Sequence, residues 1–267
     1  MGNSLTMTYK KLTTMELDLN RQIAKITLTR ENALNAMNQQ FFDDISSCLS
    51  NLQFEKGIKA LIITGRGNGF SVGADLKNLP VNTDLDLGKA LRENFEPLIL
   101  GLKKLPFPTI AAVNGYAAGA GMGLMLGCDF TIAAKSAQFV QAFINIALVP
   151  DAGNTYFLPR LIGNARATEM MMLGEPVSAE RAFEMGMIYK VVDDAELEAE
   201  ADILANKLAQ KPTSVLMQIR ELLDVSGENS LADQLNAEAD AQKIASTHDN
   251  FLEGVRAFNE KRSPKFE

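Results

Sequence analysis

The chain has 267 residues, 46% of them apolar and 22% charged, which fits one large globular domain or a domain with an appendage. The formal net charge of -7 and a pI near 5.0 leave no basic footprint, which argues against nucleic acid as the main partner. In chain order, "MELDLNRQIAKITLTR" alternates as two strands around a turn at Asn20-Arg21. "NQQFFDDISSCLSNLQFE" has helical spacing, with Phe41, Ile45, Leu49 and Leu52 on one face. "IKALIITGRG" reads as a short buried strand, and "LGKALRENFEPLILGLKKL" as an amphipathic helix closed by Pro106 and Pro108. "TIAAVNGYAAG" is a buried strand and turn, "AGMGLMLGCD" a helix of small residues, and "FTIAAK" and "AQFVQA" are short strands. A further strand-like apolar run ends at Pro150-Asp151, and from about Ala165 onward the pattern is helical. This order predicts an α/β core over residues 1–200 and a helical appendage over residues 201–267.

The chain holds one histidine, His248, in "STHDNFLEG". A Ser-His-Asp triad or a histidine metal centre must use it or be absent, and its polar neighbours suit a surface helix. Cys48 and Cys128 read as free thiols of a reducing compartment. "MGNSLTMTYKK" lacks a signal-peptide core, although Gly2 and Thr6 match a short myristoylation pattern. No apolar run reaches the ~18 residues of a membrane span. Met170, Met171 and Met172 suit adaptable core packing or the wall of an apolar pocket, and "DDAELEAEAD" a solvated helix face.

Three stretches carry candidate chemistry: "GNGFSVGADLKNL", "NGYAAGAGMGLMLGCD" and "IALVPDAGNTYFLP". The first two each end a strand in small residues and begin a helix. Such turns suit either tight packing or close approach of a ligand to free backbone N–H groups. Two N–H donors aimed at one oxygen make an oxyanion hole. In the third stretch Asp151 stands at the lip of an apolar segment, as a helix cap or turn residue or as the acid/base group of an active site.

"FSVGADLK" and "AAVNGYAAGAGMGLMLGCDFTIAA", with "RENALNAMN", "SAERAFEMGMIYKVV" and "EGVRAFNEKRSPKF", resemble the crotonase superfamily, the enoyl-CoA hydratase/isomerase group. The likeness runs over nearly the whole chain and is strongest to ring-1,2-epoxyphenylacetyl-CoA isomerases and Δ3,Δ2-enoyl-CoA isomerases. It implies a ββα superhelical spiral, with C-terminal helices that build trimers, often paired into hexamers. It also implies an acyl-CoA thioester whose carbonyl oxygen lies between the backbone N–H groups of Ala74 and Ala120. The CoA moiety is expected along Ala33, Leu34 and Ala36 and along Gly73, Ala74, Asp75, Leu76 and Lys77. Phe258 and Lys261 match positions where a neighbouring helix touches CoA, and Phe143 faces the pocket.

The chain departs from the family's hydratases at both glutamates that hold and split water: Gly123 and Phe143 stand there. Hydration needs one group to take a proton from water and another to protonate the α-carbon. A double-bond shift needs only one carboxylate, and the resemblance places it at Asp151, with Phe143, Val149 and Pro150 expected to desolvate it. The same position holds the nucleophile of 4-chlorobenzoyl-CoA dehalogenase. The histidine base and flanking tryptophan of that enzyme are matched here by Glu96 and Phe143, and the chain has no Trp. Glu96 remains a second carboxylate candidate or part of a solvated face.

The sequence thus reads as a cytoplasmic acyl-CoA isomerase shifting a double bond from Δ3 to Δ2. The alternatives are ring-1,2-epoxide isomerisation, hydration, and an acyl-CoA-binding oligomer without turnover. No metal or redox cofactor is expected, coenzyme A entering as part of the substrate. The expected partners are that substrate and further copies of the chain as a trimer or hexamer, with neither nucleic acid nor membrane.

Overall fold

The computed structural model describes residues 12–78 and 86–266. The Gly2/Thr6 pattern lies outside the described residues. The first hairpin forms as its alternation predicts: β1 (Met15–Asn20) pairs antiparallel with β2 (Ile23–Leu28), and Arg21 in the turn takes φ 56°. α1 (Gln39–Leu52) follows, capped by the Asn38 side chain, which accepts from Phe41 N–H at 3.0 Å. Its buried face carries Phe41, Ile45, Cys48, Leu49 and Leu52.

From β3 (Ala60–Gly65) to β8 (Gln138–Val140) the chain lays strands alternately into two sheets. β4 (Gly69–Ser71), β6 (Tyr116–Ala118), β8 (Gln138–Val140) and β9 (Val177–Ser178) form the smaller one. β5 (Thr109–Val113), β7 (Phe130–Ala134) and β10 (Lys190–Val192) join the larger, in the order β1-β2-β3-β5-β7-β10. Pairing among β2, β3, β5, β7 and β10 is parallel throughout. Strands buried on both faces need unbroken apolar runs, which "ALII" and "TIAAV" supply. Leu61, Ile63, Ala111, Val113 and Ala133 face the main core with α1, while Ala60, Ile62, Ile110, Ala112, Ile132 and Ala134 face the opposite side.

That second face is covered by α7 (Leu197–Ala209) through Leu197, Ala201, Leu204, Ala205 and Leu208. The boundary expected at residue 200 therefore falls inside a helix packed on the sheet. The charge run at its start is mostly exposed, as a solvated face would be, and three of its carboxylates form ion pairs: Glu198 with Lys25, Asp193 with Lys135, and Glu200 with Lys190 at 2.6 Å.

The helix expected over "LGKALRENFEPLILGLKKL" runs as α2 (Leu87–Ala90), a π turn (Leu91–Phe95) and α3 (Glu96–Lys103). Three other expectations need correction. "TIAAVNGYAAG" contains two strands in different sheets, because the Asn114-Gly115 turn carries the chain from β5 to β6. The run before Asp151 is no strand: residues 142–146 form a 3-10 turn, and Val149 is 79% exposed. The stretch after Ala165 is not purely helical. β9 and β10 lie within it around α6 (Ala179–Glu184), and α5 (Asn154–Leu173) begins earlier and kinks at Gly163. On α5, Met170 is buried while Met172 is 70% exposed, so the methionine triple divides between core and surface.

α8 (Thr213–Ser226), α9 (Leu231–Ser246) and α10 (Asp249–Asn259) close the chain. α8 is tied to the core by Arg220, which reaches Asp129 at 3.3 Å and the Leu105 carbonyl. α8 and α9 bury none of their residues. His248 is exposed just before α10, and both cysteines are free thiols. Among the described residues no helix is long and apolar enough to cross a membrane.

Candidate active site

The smaller sheet brings the first two Gly/Ala turns together. After β4, Gly73 takes φ 79° and Ala74 forms a parallel bridge with Met37. Met37 N–H donates to the Gly73 carbonyl at 2.7 Å and Asp75 N–H to the Met37 carbonyl at 3.0 Å. Alternation along a strand turns the intervening Ala74 N–H the other way, and it donates to none of the described residues. After β6, Gly119 takes φ 53° and α4 (Ala120–Leu126) begins. Ala120 is its first residue, so its N–H has no intrahelical acceptor, and none of the described residues accepts it. A Cβ on Gly73 would lie 2.8 Å from Ala120 N, so only glycine lets these turns abut. Two backbone donors without acceptors thus stand side by side, Ala120 buried and Ala74 exposed.

Asp151 reaches the same place from the other side. Ala152 and Gly153 both take left-handed conformations, φ 50° and 81°, before α5 starts. For alanine this is strained backbone, which must be held by its surroundings. Asp151 does not cap α5. Gly153 is the capping residue, and the Asp151 carboxyl has no hydrogen-bond partner among the described residues, one oxygen being fully buried. Burial without compensation disfavours the charged form and pushes the Asp151 carboxyl up from 3.8 to about 6. Val149, expected to help desolvate it, instead projects outward. Phe143 is buried at the site, its ring tip 3.7 Å from where a Gly119 Cβ would stand.

The structure also shows why residue 123 carries no side chain. A Cβ on Gly123 would stand 2.7 Å from Ala152 Cβ and closer still to the Ala152 carbonyl oxygen. The space a side chain would need there is filled by the turn that presents Asp151.

Two buried amides, which the sequence reading did not single out, link these parts. Asn154 donates through Nδ2 to the Asp151 carbonyl at 2.8 Å and to the Gly119 carbonyl at 3.2 Å. Gln141 donates through Nε2 to Asn154 Oδ1 at 2.7 Å. Neither residue has exposed surface. The only signal in the sequence is an amide three residues beyond the aspartate in "PDAGN".

The two segments expected along CoA are also adjacent. Val72 N–H donates to the Leu34 carbonyl at 3.1 Å, and Arg30 joins Asp75 at 2.7 Å while also donating to the Ala36 carbonyl. The Arg30 guanidinium holds the Asp75 carboxyl below the usual carboxylate range, so that side chain braces the segment. Leu34 and Asn35 take φ 47° and 55°, and buried Asn35 pins the turn through the Arg66 and Gly69 carbonyls. Ala33 and Leu34 are half-buried, Ala36 is buried, and Leu76 and Lys77 are exposed.

Ala74, Ala120, Phe143 and Asp151 are therefore brought together, with Ala33, Leu34, Ala36, Gly73, Asp75, Leu76 and Lys77 beside them. Phe258 and Lys261 are not. They lie at the end of α10, which packs on α9, and Phe258 is 83% exposed. Glu96 is exposed at the start of α3, with no hydrogen bond or ion pair joining it to the described site residues. Among the described residues no group of three His, Cys, Asp or Glu is placed to hold a metal ion.

Residues 18–267 match the sequence profile of the enoyl-CoA hydratase/isomerase family. Among curated proteins, the chain is 43% identical over 247 residues to the 1,2-epoxyphenylacetyl-CoA isomerase of Escherichia coli (strain K12), covering 91% of this chain and 94% of that protein. It is 39% identical over 253 residues to a probable enoyl-CoA hydratase of Rhodobacter capsulatus, covering 95% and 97%. Among solved structures, the enoyl-CoA hydratase of Bacillus anthracis superposes with a TM-score of 0.90 at 32% identity, covering 95% of this chain and 99% of that one. Profile, relatives and fold agree, and the chain belongs to the enoyl-CoA hydratase/isomerase family of the crotonase superfamily.

Proposed function

We propose that the protein isomerises an acyl-CoA thioester, moving a double bond from Δ3 to Δ2 through an enolate. The Ala74 and Ala120 N–H groups hold the thioester oxygen as it gains negative charge. Asp151 takes the α-proton and returns it at the γ-carbon, so no second carboxylate is needed. The observation that carries this reading is the unpartnered Asp151 carboxyl, pushed up to about 6, on a turn that Asn154 ties to the Gly119 carbonyl just before Ala120. A base of that strength is ionised at neutral pH yet basic enough to abstract a proton from an activated carbon.

Ring-1,2-epoxyphenylacetyl-CoA isomerisation is the second reading, favoured by the 43% identity to a protein of that activity. It uses the same donors and the same aspartate. Hydration, the activity named for the Rhodobacter capsulatus relative, lacks support at Gly123 and Phe143.

The CoA moiety lies along residues 33–36 and 73–77. The alternation of strands between two sheets supports the superhelical spiral. The apolar surface on α8, α9 and α10 supports a trimer or dimer of trimers, in which Phe258 and Lys261 meet the CoA site of a neighbouring copy. A cytoplasmic location rests on the sequence alone.

The test is turnover of a 3-enoyl-CoA, followed as gain of the conjugated 2-enoyl-thioester absorbance, alongside crotonyl-CoA, followed as its loss. Isomerisation with hydration well below an ordinary kcat of ~10 per second is expected. Hydration at or above that rate overturns the assignment. Turnover of a ring-epoxide thioester but not of the 3-enoyl thioester selects the second reading.

A further inference from the structure

We infer that Asn154 is a positioning residue that sets the acid/base aspartate and the Gly119–Ala120 peptide in one geometry, with Gln141 holding it in register. The inference rests on the catalytic reading above and deepens it.

The Gly119 carbonyl and the Ala120 N–H belong to one planar peptide unit, so fixing the direction of one end fixes the other. Asn154 Nδ2 is 3.2 Å from the Gly119 oxygen. A hydrogen bond accepted there also polarises the peptide and strengthens its N–H as a donor. The same nitrogen is 2.8 Å from the Asp151 carbonyl, at the start of the strained Ala152-Gly153 turn. One amide group therefore spans the donor to the substrate oxygen and the backbone that carries the base.

The amide works in only one orientation. Turned by half a rotation, it would present Oδ1 to two carbonyl oxygens. Gln141 prevents this by donating Nε2 to Asn154 Oδ1 at 2.7 Å. Gln141 follows β8, whose Val140 carbonyl accepts from Gly119 N–H at 2.9 Å, so both sides of the Gly119 turn are tied to one short segment. Gln141 is itself imperfectly satisfied, its Oε1 being buried without a partner. An apolar residue of the same shape would avoid that cost but leave the buried Asn154 Oδ1 without its donor. Gln141 thus both satisfies the Asn154 amide oxygen and fixes which way that amide faces.

The experiment compares wild type with Gln141→Met, Asn154→Ala and Asp151→Asn. It measures kcat and KM for a 3-enoyl-CoA, the melting temperature, and the infrared carbonyl stretch of a bound saturated acyl-CoA thioester. Gln141→Met removes the gripping donor and the orphan oxygen together. One buried orphan oxygen is exchanged for another, that of Asn154, so the melting temperature should change little, while kcat falls about tenfold and KM changes by less than about threefold. Asn154→Ala should lose ~10²-fold in kcat, the scale of a small misplacement, and move the thioester stretch back toward its unbound value. A structural role alone would lower the melting temperature and leave both kcat and the stretch of the folded protein as in wild type. Should Asn154→Ala not fold, Gln141→Met decides by itself, and an unchanged kcat there overturns the inference. Lost turnover in Asp151→Asn with wild-type kcat in the other two overturns the inference alone. Full turnover in Asp151→Asn overturns the catalytic reading and the inference with it.

Discussion

Asp151→Asn should remove catalysis and, at neutral to alkaline pH, stabilise the protein. In the folded chain the half-buried carboxyl, one oxygen of it fully buried, has no partner, and desolvation pushes it up from 3.8 to about 6. The direction follows from proton binding. Between pH 3.8 and 6 the folded state holds a proton that the unfolded state has released, so wild-type stability falls as pH rises through this window. At 1.36 kcal/mol per pH unit the full loss is at most ~3 kcal/mol by pH 8, less because solvent screens the half-buried group, and about half of it accrues between pH 5 and 8. Asn carries no charge and escapes this loss, though its unpartnered amide retains roughly 1–3 kcal/mol of desolvation cost at every pH. The clean quantity is therefore the stability difference between variant and wild type at pH 8 less that at pH 5. It should favour the variant by up to about 1–1.5 kcal/mol. Chemical denaturation at one protomer concentration measures it. Over the same range wild-type kcat/KM should rise with pH and level off above about 6, as the base becomes ionised. The variant's kcat should be ~10²–10⁴-fold lower, while calorimetric affinity for a saturated acyl-CoA stays close to wild type. An unchanged stability gap between pH 5 and 8 refutes the burial argument. Full turnover by the variant refutes the role of Asp151, and Glu96 would be the next residue to change.

Ala120→Pro keeps a residue tolerated at the first position of a helix but deletes the N–H. If circular dichroism matches wild type, kcat should fall ~10²-fold or more, and an unchanged rate would place the thioester oxygen elsewhere. Gly123→Glu should not create a hydratase. Its Cβ meets Ala152 at 2.7 Å, so stability should fall by about 1–3 kcal/mol and isomerisation with it, both read by denaturation and turnover. Leu223 and Leu231, 67% and 77% exposed on α8 and α9, should anchor contacts between copies. Leu223→Glu with Leu231→Glu should shift sedimentation toward the single protomer, and an unchanged assembly would remove these helices from the interface.

The sequence alone determined the elements whose burial is written in their own periodicity. The β1–β2 hairpin and α1 with its Phe41-Ile45-Leu49 face were legible because period 2 or 3.6 follows from which side faces the core, and the strands "ALII" and "TIAAV" because an unbroken apolar run marks burial on both faces. The special residues were also legible: glycines and alanines where backbones meet, and one aspartate in an apolar stretch. What stayed hidden depended on contacts between distant segments. Nothing local says that "TIAAVNGYAAG" divides between two sheets, or that "KVV" becomes a strand beside β7 in the midst of helices. Those three residues are held by pairing with Ile132, Ala133 and Ala134. The environment of Asp151 is likewise tertiary. Its raised pKa comes from burial, and Val149, a sequence neighbour, takes no part because it points outward. The reason for glycine at 123 appears only where α4 meets the Ala152 turn, and the Gln141-Asn154 clamp only where β8, α4 and α5 converge. Periodicity reports the face a residue presents, but the chemistry of a buried polar group is set by what stands within a few ångströms, and in this fold those atoms come from other turns of the chain.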